Sequence, residues 1–221
     1  MNNSNRIDTI LFDFDGTIMD TNDIVYASMQ HTFITLTGEK GDEQTIFDTF
    51  GEPLGDVLMK LFPEFDVEES LAIYRGYQFK HYEEMIELFP GVEEMIAWMH
   101  EKGYKLGLVT NRLRNSTVIG MKKYGLDEIF GSIVACDEAE KNKPYAEPVL
   151  LALEQLNSIP EKAIFVGDSA NDILSGKNAN VKTVRVAWAL ASDGSHDESD
   201  VTPDYVIDTP EELIDLLKNQ M

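Results

Sequence analysis

From Pro90 onward, short apolar runs alternate with segments whose apolar residues recur every three or four positions. Val92, Met95, Ile96 and Met99 stand at i, i+3, i+4 and i+7, the spacing of one helix face, bounded by Pro90-Gly91 and Gly103. YKLGLVTN then reads as a short buried strand. The alternation continues with a helix over Asn115–Tyr124, a strand SIVAC, a helix EPVLLALEQL, a strand AIFVGD, a helix DILSGKNA and a strand TVRVAW. ILFDF, near the start, supplies one more strand of this kind. Continuous apolar strands alternating with helices predict a parallel sheet covered by helices, so the fold class is α/β with a Rossmann-like core. Between Asp20 and Phe89 the texture changes. NDIVYASMQHTFITLTG and VEESLAIYRGYQFKHYEEMIELF have helical periodicity, and no strand is evident between them. The expected organisation is a core of residues 1–19 and 89–221, with residues 20–88 as an inserted helical cap domain.

Charge narrows the range of partners. With 40 acidic against 18 basic residues the formal charge is -22, which repels nucleic acid and anionic membranes. An anionic ligand would need a locally positive site. Cys136 is the single cysteine, so no intramolecular disulfide forms, and no apolar run approaches the roughly 18 residues of a membrane span. The start MNNSNRIDT lacks the features of a secretory signal, so a cytoplasmic protein is expected. DGSHDESD, Asp193 to Asp200, reads as an acidic solvated loop. The four histidines (His31, His81, His100, His196) show no metal-ligand spacing.

In a parallel α/β sheet, ligands bind beyond the carboxyl ends of the strands. Four polar clusters fall at such ends: Asp13 and Asp15, Thr110 and Asn111, Lys143, and Asp168 with Asp172. Taken singly, an aspartate at a strand end is most often a turn former or helix cap. The joint pattern is different. Asp13 follows an unbroken apolar run, and Asp15-Gly16-Thr17 then offers a turn whose backbone can approach a ligand closely. Asp13, Asp15 and Asp168 converging in one cleft would repel one another unless a cation lay among them, and such oxygen donors suit Mg²⁺, which often completes its shell with substrate phosphate. Asp172, four residues beyond Asp168, could coordinate directly or through water. Lys143, set in an extended backbone by Pro144, is favoured over Lys141 as the phosphate-binding charge. Asp20 is expected to cap the first helix of the insert.

Asp13-Phe14-Asp15-Gly16-Thr17, the strand end Thr110-Asn111, Lys143-Pro144, and Gly167-Asp168-Ser169 with Asp172 resemble, in order and spacing, the four signature motifs of the haloacid dehalogenase-like hydrolases. The nearest groups are similar to phosphoglycolate phosphatases and, through Asp20-Thr21-Asn22 and Val186-Ala187-Trp188, to a bacterial pyrophosphatase group. The resemblance implies a Mg²⁺-dependent phosphatase acting on a small phosphorylated metabolite. It makes Asp13 the nucleophile, Asp15 the general acid and base, and Thr110 with the backbone N–H of Asn111 the holders of the phosphoryl group. It assigns Asp13, the main-chain oxygen of Asp15, and Asp168 to the metal, with Asp172 in support. Gly16, Thr17, Glu52 in Gly51-Glu52-Pro53, and Arg112 are the remaining substrate-binding candidates. One position departs from the pattern: relatives commonly read Lys-Pro-x-Pro, and Ala146 stands in place of the second proline. A monomer or weak homodimer is expected. Metal-free dehalogenation is disfavoured by Asp15, Asp168 and Asp172, whereas inorganic pyrophosphatase and sugar phosphomutase stay open as alternatives.

Overall fold

The computed structural model describes residues 6–50, 52–189 and 201–219. Its central run TILF forms β1 (Thr9–Phe12), all four residues buried. Five further strands join it: β4 (Lys105–Val109), β5 (Ser132–Val134), β6 (Ala163–Gly167), β7 (Lys182–Val186) and β8 (Tyr205–Ile207). Two-residue strands β2 (Met19–Asp20) and β3 (Glu87–Leu88) pair in a separate sheet. The six-stranded sheet runs β5-β4-β1-β6-β7-β8, every pairing parallel. From β1 the order moves outward to β4 and β5, then resumes on the other side with β6. That reversal opens a crevice at the carboxyl ends of the central strands.

The chain divides into two compact units, Met1–Asp20 with Leu88–Met221, and Thr21–Glu87. In the first, the helices are α5 (Val92–Glu101), α6 (Arg114–Lys123), α7 (Glu147–Gln155), α8 (Ala170–Asn178) and α9 (Pro210–Asn219). Helix α7 packs on β4 and β5, α8 on β6 and β7, and the two helices touch each other. Beneath them Leu11, Val109, Val134, Val149, Leu153 and Phe165 close one apolar cluster. These are the alternate strand positions and helix stripes that the apolar pattern marks, and their removal from water is the main favourable contribution to folding of this unit.

The second unit holds α1 (Asn22–Thr37), α2 (Glu43–Phe47), α3 (Leu54–Leu61) and α4 (Val67–Met85). Its own core gathers Met29, Ile46, Val57, Leu58, Phe62 and Tyr74, with Phe33 edge-on to Phe62 at 4.6 Å. Asp42 and Asp66 cap α2 and α4, accepting from Thr45 N at 2.9 Å and Glu69 N at 3.0 Å. Two expectations need correction. Asp20 belongs to β2, and the N-cap position of α1 is Thr21. The helical reading through Phe89 overruns: α4 stops at Met85, Ile86 is extended, and Glu87–Leu88 form β3. Pro90 disfavours helical geometry in Phe89 alone, so it keeps the helix from resuming ahead of α5 but does not account for the stop at Met85. The acidic stretch Asp193 to Asp200 and Gly51 lie outside the described residues.

Candidate active site

Strand register brings the polar clusters to one edge. Phe12 stands opposite both Leu108 and Val166, so the residues just beyond them leave the sheet side by side. Asp13 extends the ladder by donating its N–H to Val166 O at 2.8 Å, and Thr110 does likewise to Val134 O at 2.9 Å. After Phe14, which is fully buried, the chain folds back: Met19 N donates to Phe14 O at 2.8 Å and Gly16 N to Met19 O at 3.0 Å. Gly16 has φ of +75°, and a Cβ built there would collide with the Asp168 carboxylate. Glycine is required at that position on both counts. Gly167 has a similar reason, since a Cβ would strike the Asp172 side chain where α8 folds back over the end of β6.

A lysine stands among the buried carboxylates. Lys143 is 6% exposed, Asp13 7% and Asp172 1%. Its ammonium donates to Asp172 Oδ1 at 2.6 Å and lies 2.7 Å from Asp13 Oδ1. The approach to Asp13 is oblique, so that oxygen has no directed hydrogen bond, and charge attraction holds the pair. Lys141, the rival in the sequence, instead lies over the Tyr145 ring at 5.0 Å. Oxygens of Asp13, Asp168 and Asp172 all fall within 4.8 Å of one another.

Such crowding shifts the titration of the group. Burial, then the Asp172 charge, push Asp13 up from 3.8 to about 7, while Lys143 pulls the other way and Asp15 adds a smaller rise. Asp168 is raised well above the usual carboxylate range, first by burial and then by Asp172 and Asp13. For Lys143, burial opposes the charge, but Asp13 and Asp172 outweigh it and hold the pKa above the ordinary lysine value. One lysine does not offset three clustered carboxylates. Raised carboxyl pKa values and a buried acceptor on Asp13 without a directed donor are what a hard divalent cation would relieve, so these residues fit one. Asp172 is the least available of the three. Its Oδ1 is taken by Lys143, and Oδ2 accepts from Ser169 N at 3.0 Å and Ser169 Oγ at 2.7 Å in a capping box that opens α8.

The other candidates separate into distinct positions. Asp15 lies outside the three-carboxylate group, and both its oxygens accept from Arg112 Nε, at 3.1 and 2.9 Å. Arg112 is 10% exposed in its side chain and Asp15 35%, so this pair lies at the rim of the cleft. Thr110 is buried and its Oγ1 accepts from Arg112 N at 3.1 Å. Thr17 is buried with its hydroxyl unsatisfied among the described residues, and its carbonyl accepts from Trp188 Nε1 at 3.2 Å. Glu52 belongs to the second unit, where it pairs with Lys60 at 3.1 Å. Sequence reasoning missed one contact set: the Asn111 side chain, expected to matter only through its backbone, clasps the main chain of Lys143. Its Oδ1 accepts from Lys143 N at 3.1 Å and its Nδ2 donates to Lys143 O at 3.2 Å.

A parallel sheet with acidic clusters and a buried lysine at its carboxyl edge is suited to binding and transferring a phosphoryl group. The chain belongs to the haloacid dehalogenase-like hydrolases, whose family model matches residues 10–186. Among relatives, it is 40% identical over 212 residues to the pyrophosphatase PpaX of Halalkalibacterium halodurans, covering 96% of this chain and 97% of that one. It is 36% identical over 214 residues to PpaX of Bacillus cereus, covering 97% and 98%. A haloacid dehalogenase-like hydrolase from Streptococcus pneumoniae shares the fold with a TM-score of 0.84 at 24% identity, covering 95% of this chain and 98% of that one. A Lactobacillus plantarum structure provisionally described as a phosphoglycolate phosphatase gives 0.82 at 26% identity, covering 96% and 99%. No helix among the described residues is long and apolar enough to cross a membrane.

Proposed function

We propose that this enzyme is a Mg²⁺-dependent phosphatase that removes phosphate from a small phosphorylated compound through an aspartyl-phosphate on Asp13. The observation that carries the reading is Lys143 held 2.7 Å from Asp13 inside a group of three carboxylates. An ion-paired carboxylate at the end of a rigid strand is pre-aimed, and the lysine is placed to neutralise an incoming phosphoryl oxygen. Asp13 Oδ attacks phosphorus as the bond to the leaving oxygen breaks, and that oxygen takes a proton from Asp15. Water then attacks the phosphorus of the aspartyl-phosphate, giving its proton to Asp15, and phosphate leaves as the Asp13 carboxylate is restored. Thr110 and the Asn111 N–H hold the transferring group, with Gly16 and Thr17 lining the turn beside it.

Asp13, Asp168 and the main-chain oxygen of Asp15 would hold Mg²⁺, with Asp172 supporting from behind. The ion supplies charge neutralisation for the carboxylates and the phosphoryl oxygens. The helical insert, residues 20–88, would serve as a cap that restricts the enzyme to compact substrates, with Glu52 as a substrate-binding candidate.

A second reading, inorganic pyrophosphate as substrate, is favoured by the full-length similarity to relatives named pyrophosphatase. Arg112 at the rim also suits it, being a cation next to Asp15, where a charged leaving group would depart. Phosphate release from phosphoglycolate, pyrophosphate, a sugar phosphate and a nucleoside monophosphate, compared by kcat/KM, separates the two readings. A preference for pyrophosphate selects the second. Phosphate transfer within a sugar phosphate without release would overturn both in favour of a mutase.

A further inference from the structure

The loop carrying Lys143 lacks the second proline, yet it is tightly held. Three successive main-chain carbonyls each accept from a different side chain. Asn111 Nδ2 donates to Lys143 O at 3.2 Å, Asn178 Nδ2 to Pro144 O at 2.9 Å, and Ser175 Oγ to Tyr145 O at 2.6 Å. Asn111 closes a ring by also accepting from Lys143 N. Asp172, Ser175 and Asn178 recur every three residues on α8. One helix therefore grips the lysine at both ends, taking the ammonium through Asp172 and the following backbone through Ser175 and Asn178.

Ser175 is fully buried, and a buried serine in a helix usually satisfies itself on the carbonyl one turn back. Here its hydroxyl reaches Tyr145 O, a contact 30 residues away in sequence. Asn111, likewise, spends its amide on a loop 32 residues distant. Side-chain clamps on consecutive carbonyls fix the φ and ψ angles of the residues between them, which is what a second proline would otherwise help to do.

We infer that Asn111, Ser175 and Asn178 are positioning residues that set the place of the Lys143 ammonium by clamping the Lys143-Pro144-Tyr145 backbone. The inference rests on the phosphate-binding role of Lys143 proposed above. A charge that must meet a phosphoryl oxygen loses much of its effect when displaced by about 1 Å, a shift that can cost about a hundredfold in rate. Ser175, which is buried, and Asn111, which holds Lys143 at both its N–H and its carbonyl, matter more than Asn178, which is exposed and makes one bond.

The test uses Asn111→Ala, Ser175→Ala and Asn178→Ala, each in the wild-type chain and in a Lys143→Met chain of similar side-chain volume. Two probes are measured with Mg²⁺ present: kcat/KM on p-nitrophenyl phosphate, and orthovanadate affinity by calorimetry, which does not depend on turnover. Thermal melts run in parallel. Asn111→Ala and Ser175→Ala are expected to lower kcat/KM and orthovanadate affinity by about tenfold or more, and Asn178→Ala by less. In the Lys143→Met chain the same substitutions should change affinity by less than about twofold, because the charge they position is gone.

A fall in melting temperature with affinity unchanged in the single variants overturns the positioning role, and does so even if Lys143→Met fails to fold. Equal losses in both backgrounds overturn it as well. Wild-type orthovanadate affinity in Lys143→Met would instead overturn the role of Lys143, and the positioning inference with it.

Discussion

Without metal, the Asp13 carboxyl should weaken the fold as pH rises, and the effect can be isolated. Its native pKa is raised from 3.8 to about 7, chiefly by burial and by Asp172. Between those values the folded chain holds a proton that the unfolded chain has released. The stability contributed by this proton is therefore complete below about pH 4 and is lost as pH climbs through about 7. At about 1.4 kcal/mol per pH unit, the full change is about 4 kcal/mol, a sizeable part of the 5–15 kcal/mol that typically separates folded from unfolded states.

Other groups titrate over the same range, so the informative quantity is wild type minus Asp13→Asn, measured by urea unfolding in the presence of a chelator. Urea avoids the ionic screening of guanidinium, and working above about pH 5 keeps clear of the isoelectric point near 4.4. The wild-type advantage should decline by about 1.4 kcal/mol per pH unit from about pH 5 to 7, then level off. Asp13 and Asp168 are close enough to share protons, so the difference reports the pair rather than one carboxyl. Mg²⁺ binds the deprotonated forms, and its stabilising effect should grow over the same window. A difference that stays flat within about 0.5 kcal/mol would refute the claim that crowding and burial govern these carboxyls.

Asp13→Asn should reduce phosphate release by about a thousandfold or more while leaving far-ultraviolet dichroism unchanged, and wild-type turnover in that variant would rule it out as nucleophile. Chelation should abolish turnover and added Mg²⁺ restore it; chelator-resistant activity would contradict the carboxylate-cage argument. Gly16→Ala should cost about 1–2 kcal/mol from its positive φ alone, and because the new methyl meets Asp168, Mg²⁺ affinity by titration should fall with it. If pyrophosphate is the substrate, Arg112→Ala should raise KM for pyrophosphate about tenfold more than for a neutral-leaving-group ester, and equal changes would remove Arg112 from substrate recognition.

Much of this arrangement is legible in one dimension because strand ends and catalytic groups coincide. Ile10, Leu11 and Phe12 announce a buried strand, and an aspartate directly after them has few structural reasons to be there. The same logic finds Thr110 after β4 and Asp168 after β6. What stays hidden is set by tertiary placement. The Asn111 clamp joins two loops 32 residues apart, and no periodicity marks it. Arg112 stands in the sequence as a substrate-binding candidate, but its pairing with Asp15 at 2.9 Å emerges only when the turn after Phe14 brings the two together. Helix α9 carries a local start signal in Thr209-Pro210-Glu211-Glu212, whereas β8, three residues long, has none beyond its neighbours. Ala146 removes the restraint a second proline would place on the lysine loop, but side chains from α8 and the end of β4 supply it from outside the motif.

The sheet's carboxyl edge works against the stability of the fold that builds it. Asp13, Asp168 and Asp172 would each be more comfortable apart, and Lys143 offsets only part of their repulsion. The scaffold nonetheless holds them together by features that are costly to change: Gly16 and Gly167 permit the close approach, Ser169 caps and orients Asp172, and α8 secures the lysine. Groups kept in an unfavourable state by surrounding structure mark a site selected for chemistry rather than for stability. The metal-free protein should therefore gain stability from the very substitution, Asp13→Asn, that removes its activity at neutral pH, a pairing that a purely structural carboxylate would not produce.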